Sequence, residues 1–146
     1  MKIEINIDDN AEDLEIAVTC KQLTAEVEKV IAALRIINHQ LTAKKHGEIH
    51  LLDTEQIIYI ESVDRRCFIY TTEDVYESDF KLYELAHQLE NLQFFRISKS
   101  FLINLHKIQS LKADINRKIR VTMINGEQII ASRKYADEMK KILGVK

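Results

Sequence analysis

Phe94-Phe95-Arg96-Ile97-Ser98-Lys99-Ser100-Phe101-Leu102-Ile103-Asn104-Leu105 interleaves polar residues with a hydrophobic run. Ser132-Arg133-Lys134-Tyr135 follows about one small sheet later. Neither segment is a nucleotide loop, a metal cluster or a catalytic triad. Both set long cationic or amide side chains on turns beside anchored strands. Such turns hold hydrogen-bond donors out from a rigid body, toward edges like those of nucleic-acid bases. Phe94, Phe95 and Phe101 read as core. Arg96, between Phe95 and Ile97, is placed to pair with an acid across a sheet.

Working outward, the hydrophobic period is two from Glu48 onward, which predicts strands over 48–52, 56–62, 67–72 and 75–78. Asp64-Arg65-Arg66 and Glu73-Asp74 are their turns. Leu82, Leu85, Leu89 and Leu92 mark a short helix near 81–92. Short strands follow over 94–97, 101–103, 107–113, 117–124 and 127–131. Asn125-Gly126 predicts a type I′ hairpin turn, in which both central residues take positive φ. Ser132 then caps a last helix with Tyr135, Met139, Ile142 and Leu143 on its apolar side.

Ahead of residue 48, Ile3, Ile5 and Ile7 alternate with polar residues, as do Leu14, Ile16, Val18 and Cys20. Two half-buried strands are expected there, joined by an acidic turn with Asn10. Thr24 is an N-cap for a helix whose stripe of Val27, Val30, Ile31, Leu34, Ile37 and Leu41 runs to about residue 41. His46-Gly47 breaks that pattern. The chain therefore divides near residue 45 into a strand–strand–helix extension (1–45) and a second part (46–146). A piece as small as the extension must pack on the second part or on a second copy, and the 25–41 helix offers an apolar stripe for self-association. The fold class is mainly β, α+β overall.

The chain has 146 residues, three glycines and no proline, which leaves no room for a flexible linker. Its net charge of −2 hides a strong polarity. Residues 1–90 carry 9 Lys+Arg against 19 Asp+Glu, a balance of −10, whereas residues 91–146 carry 12 against 4, a balance of +8. Both marker segments lie in the basic part, and a basic region in a compact chain suits a polyanion. Two cysteines are too few for a disulfide framework, no apolar run approaches the ~20 residues that span a bilayer, and no leader-like core follows Met1. The expected compartment is a reducing cytoplasm.

Several chemistries find no support. Asp8-Asp9 resembles the acidic pair that opens a phospho-receiver domain, but too little chain follows before the second part, and the pair reads as turn chemistry. His46 and His50 are separated by Gly47 and share no helix face, so no metal set is expected. Cys67, beside Arg65 and Arg66, reads as a small buried hydrophobe rather than a redox sensor. No nucleophile–base–orienter set exists, so the chain is not expected to be an enzyme or to need a cofactor.

Three landmarks in order complete the reading. Ile57-Ile58-Tyr59-Ile60-Glu61-Ser62, then Phe95 to Asn104, then Ser132-Arg133-Lys134-Tyr135 together resemble the LytTR family of DNA-binding domains. The resemblance covers about Glu48 to Leu143. That family is the output module of many bacterial response regulators, and this chain is similar to a stand-alone regulator without a receiver. The resemblance implies a multi-stranded β domain with short helices that presents loops to successive major grooves of double-stranded DNA. Matched onto this sequence, the first loop offers Arg65 and Arg66 without choosing between them, the second Lys99 and Asn104, and the third Arg133 with Lys134. Arginine can bond guanine O6 and N7 through two donors, asparagine can pair likewise with adenine, and lysines mostly meet phosphates. Asn104 is equally suited to an Asx hydrogen bond within a turn. Ser98-Lys99 stands where the family often has His-Arg, which shortens the reach and removes a forked contact. Promoter repeats are the implied DNA partner, and a small membrane protein that holds such regulators inactive is implied by analogy. The competing reading is a protein-interaction or anti-regulator module whose acidic part, residues 1–90, binds a basic partner.

Overall fold

Apolar alternation with a period of two builds ten strands here, and three amphipathic stretches build helices. A computed structural model describes residues 1–145. Helix α1 (Ala25–Ile37) is followed by β1 (Gln40–Lys45), β2 (Glu48–Asp53), β3 (Ile57–Val63), β4 (Arg66–Thr71) and β5 (Val75–Ser78). Then come α2 (Leu82–Leu89), β6 (Phe94–Arg96), β7 (Phe101–Asn104), β8 (Ile108–Ala113), β9 (Ile119–Met123), β10 (Gln128–Ala131) and α3 (Arg133–Leu143). The strands form a seven-stranded sheet in the order β2-β1-β5-β4-β3-β7-β6 and a three-stranded sheet in the order β10-β9-β8. All pairings are antiparallel.

Two buried clusters define the layers. Ile36 of α1 and Leu82, Leu85 and Leu89 of α2 pack with Leu41, Leu52, Ile60, Cys67 and Ile69. Ile58, Tyr59, Ile97 and Ile103 pack with Val121, Met123 and Ile129 of the small sheet and Met139 of α3. Neighbours on one strand point to opposite faces, so Leu102 joins the first cluster and Ile103 the second. The register of β3 against β4 shifts between Ile57 and Tyr59. That bulge puts Ile57 and Ile60 in one layer, with Ile58 and Tyr59 both in the other.

The structure departs from the sequence reading at the N-terminal side. α1 stops at Ile37, because Asn38 leaves the helix and His39 takes a left-handed φ of 58°. Leu41 belongs to β1, not to the helix. β1 pairs along its whole length with β2 through the left-handed His46-Gly47 turn, so the β1–β2 hairpin runs straight across residue 45. The two expected N-terminal strands do not form within the chain. Residues 1–24 have no strand partner and are exposed throughout. Asp8 does make a turn there, its carboxylate accepting from Asn10 N at 2.9 Å and its carbonyl from Ala11 N at 3.1 Å.

The β9–β10 turn also differs in type. Gly126 takes φ 88° while Asn125 is not left-handed, and Gly126 N donates to Met123 O at 2.9 Å. Asn125 instead accepts from Glu127 N through its side chain, so one glycine does the work expected of two positive-φ residues. Cys67 is buried, and burial pushes its thiol up, away from the reactive thiolate. Among the described residues no group of three metal-ligating side chains converges, and no helix is long and apolar enough to cross a membrane.

Candidate nucleic-acid interface

The first loop is the β3–β4 turn. Asp64 and Arg65 both take left-handed φ, 50° and 66°, without a glycine between them. A non-glycine residue held there costs on the order of 1–3 kcal/mol, and the consecutive pair Asn116 and Arg117 is held the same way. Arg66, the first residue of β4, is committed elsewhere. Its Nε and Nη2 donate to the two carboxylate oxygens of Glu77 on β5, each at 2.7 Å. The guanidinium holds the Glu77 carboxyl below its usual range, and the carboxylate raises Arg66 in return. Arg65 is exposed and makes no ion pair or side-chain hydrogen bond among the described residues.

The second loop joins β6 to β7. Arg96 does not pair with an acid. Its Nε donates to Ser98 O at 3.2 Å and its Nη2 to Lys99 O at 2.8 Å. The Ser98 hydroxyl accepts from Ser100 N at 3.2 Å and from Phe101 N at 3.1 Å. These bonds fix the loop from within and leave Lys99 exposed at its tip. Asn104 lies at the far end of β7 and is only 4% exposed. Its Nδ2 donates to Ile57 O at 2.9 Å, and its Oδ1 accepts from His106 N at 3.0 Å. Each end of the Asn104 amide thus holds one partner inside the fold. Of its two readings, the Asx hydrogen bond is the one observed.

The third loop is the junction of β10 and α3. Ser132 occupies the N-cap position, but its hydroxyl makes no capping bond. Its carbonyl accepts from Tyr135 N and Ala136 N, each at 2.9 Å. Arg133 opens the helix fully in solvent, and Lys134 sets its Nζ 5.2 Å from the Tyr135 ring centre. Tyr135 meets Phe95 of β6 edge-on at 6.4 Å.

Two main-chain hydrogen bonds stitch these loops together. Ser62 N, just before the first loop, donates to Ser100 O of the second at 2.8 Å. Ser132 N of the third donates to Ile97 O of the second at 3.0 Å. The second loop is thereby held between the first and third. Arg65, Lys99 and Arg133 come from three neighbouring loops, with Lys134 beside Arg133; Arg66 and Asn104 are turned to structural work. The organising role of Arg96 was not read from the sequence, though its place two residues before Ser98 is the local spacing such a clamp needs.

This architecture has known counterparts. The family model for the LytTr DNA-binding domain matches residues 47–144. A protein of Staphylococcus aureus strain NCTC 8325, named as an uncharacterized HTH-type transcriptional regulator, is 26% identical over 99% of both chains. The sensory transduction protein LytT of Bacillus cereus is 29% identical over 73% of this chain, which spans 44% of that protein. Among solved structures, the LytTr DNA-binding domain of a methyl-accepting/DNA response regulator from Bacillus cereus superposes with a TM-score of 0.68 at 24% identity. It covers 73% of this chain and 97% of its own. The ten-stranded scaffold, the three stitched loops and the match over residues 47–144 lead to one assignment: the chain belongs to the LytTR family of DNA-binding domains.

Proposed function

We propose that the protein is a transcriptional regulator that reads specific double-stranded DNA through the three stitched loops, set in successive major grooves. The observation that carries this reading is the pair of main-chain bonds, Ser62 to Ser100 and Ile97 to Ser132, which keep the loops adjacent. Arg65 and Arg133 supply the forked donors that guanine O6 and N7 accept, while Lys99 and Lys134 meet phosphates and set register. Loops rather than a helix do the reading. The Staphylococcus relative is named as HTH-type, but among the described residues α1 leads into β1, α2 leads through a single 3-10 turn (Glu90–Leu92) into β6, and no two α-helices are consecutive. The reading keeps paired promoter sites as the DNA target and a small inhibitory membrane protein as the element that silences the regulator.

The test is a duplex selected from random DNA by the purified protein, then titrated with variants. Arg133→Ala should cost about 1–3 kcal/mol at its cognate base pair and relax preference there. Lys99→Ala should weaken all sequences about equally and reduce the salt slope by about 1. Equal affinity for selected and random duplexes, or an Arg133→Ala variant with unchanged discrimination, would sink the reading.

A further inference from the structure

The N-terminal arm is the one large apolar surface that the fold does not use. Ile3, Ile5 and Ile7 are 78%, 82% and 94% exposed, Leu14, Ile16 and Val18 are 83%, 57% and 43% exposed, and Leu23 is 70% exposed. In an extended chain Ile3, Ile5 and Ile7 fall on one side, and so do Leu14, Ile16 and Val18. These are two strands' worth of alternation without a sheet.

The same chain carries an edge without a neighbour. β2 ends the seven-stranded sheet, so one side of its backbone is unpaired. Ile49 and Leu51 on it are 69% and 52% exposed. Its sequence, Glu48-Ile49-His50-Leu51-Leu52-Asp53, has none of the lysines or prolines that usually blunt an edge. The arm's second strand, residues 14–20, spans about 23 Å at ~3.3 Å per residue, a close match to the six residues of β2. Ile49 also lines an open groove with Leu23, Ile31 and Ala32, of about 460 Å³.

We propose that this arm adds to the β2 edge of a second copy, giving a two-fold dimer by mutual exchange. Each chain gives one arm and receives one at β2, so the exchange is reciprocal and the contact closes on two copies. Each arm carries six acids against two lysines over residues 1–24, so two arms repel each other and arm-to-arm pairing is disfavoured. α1 is not the dimer seam, because Ala32 and Ile36 are already buried in its own chain. At about 60–120 Å² per large aliphatic side chain, Leu14, Ile16 and Val18 of each arm with Ile49 and Leu51 of each edge, ten side chains over the two seams, remove roughly 600–1,200 Å², a range that reaches the ~1,000 Å² of a specific interface.

The experiment uses the full chain and sedimentation at micromolar concentration. Wild type should sediment as a dimer. Ile16→Asp in the arm and Leu51→Lys on the edge should each halve the mass while circular dichroism remains that of a folded protein. Mixing the two variants should restore a one-to-one dimer, because one supplies the intact edge and the other the intact arm. A monomeric wild type, with residues 14–20 protected from hydrogen exchange in that monomer, would place the arm on its own edge and overturn the proposal. So would a Leu51→Lys chain that remains a dimer, or a mixture of variants that does not associate.

Discussion

Asn104 holds Ile57 O through its Nδ2 and His106 N through its Oδ1, one bond buried and one part-buried, so its loss removes two bonds of the fold. Asn104→Ala should lower unfolding free energy by about 1–3 kcal/mol, read by urea titration, while the folded fraction keeps its DNA affinity. Arg65 is the opposite case. Its left-handed φ of 66° is comfortable only for glycine, so Arg65→Gly should stabilise the fold by about 1 kcal/mol while weakening the selected duplex. Both effects are measurable on one preparation, and a gain in stability without a loss of affinity would remove Arg65 from the interface. Tyr59, buried and stacked 4.5 Å from Tyr70, has its hydroxyl pushed up to about 12, chiefly by burial. The native state thus resists deprotonation that the unfolded chain accepts near pH 10. Its contribution is present below that pH and is lost as pH rises toward 12. Tyr59→Phe should therefore flatten the decline in stability between pH 9 and pH 11, followed by denaturant midpoints.

At the scale of elements, the period-two stretches from Ile57 to Ala131 are legible where one face of a strand is more buried than the other, as in Ile119–Met123 and Gln128–Ala131. Asn125-Gly126 marked a hairpin correctly but not its turn type, since a side-chain bond from Asn125 to Glu127 N competes with the left-handed conformation. The end of α1 was illegible for a different reason. Leu41 lies four residues beyond Ile37 and extends a helical stripe, whereas the break comes at Asn38 and His39, with no glycine or proline to announce it. The arm's alternation predicts two strands that do not form: a strand exists only with a neighbour, and residues 1–24 pair with none of the described strands. In the candidate interface, residue types were visible but their competition for partners was not. Nothing in Arg65-Arg66 announces that Glu77 lies across the next strand. The Arg66–Glu77 pair is an element-level clamp between β4 and β5, and it sits in solvent. Because the Glu77 carboxyl is held below its usual range, its support is present above the ordinary carboxylate pKa and fades as pH falls through the lowered value. A Glu77→Gln chain should show a weaker dependence of stability on pH in the acid range.

For the whole molecule, the two proposed associations draw on different surfaces, charge for DNA and apolar side chains for a second copy. DNA binding by loops with about four phosphate contacts should fall with salt at a slope near −3.6 in log–log terms. The proposed arm exchange rests on aliphatic burial between an acidic arm and an edge that carries Glu48 and Asp53, so moderate salt should leave it unchanged or strengthen it. Titrating the selected duplex and measuring mass over the same salt series separates the two, and parallel trends would mean that one contact underlies both. The stitching of the three loops has a last consequence. Its bonds run from amide to carbonyl and involve no side chain of Arg65, Lys99 or Arg133. If those tips read bases as proposed, substitutions there would change which bases are preferred while the spacing between tips stays constant. Descendants of this scaffold could thus be retargeted to new operators one letter at a time, with no rebuilding of the frame that carries them.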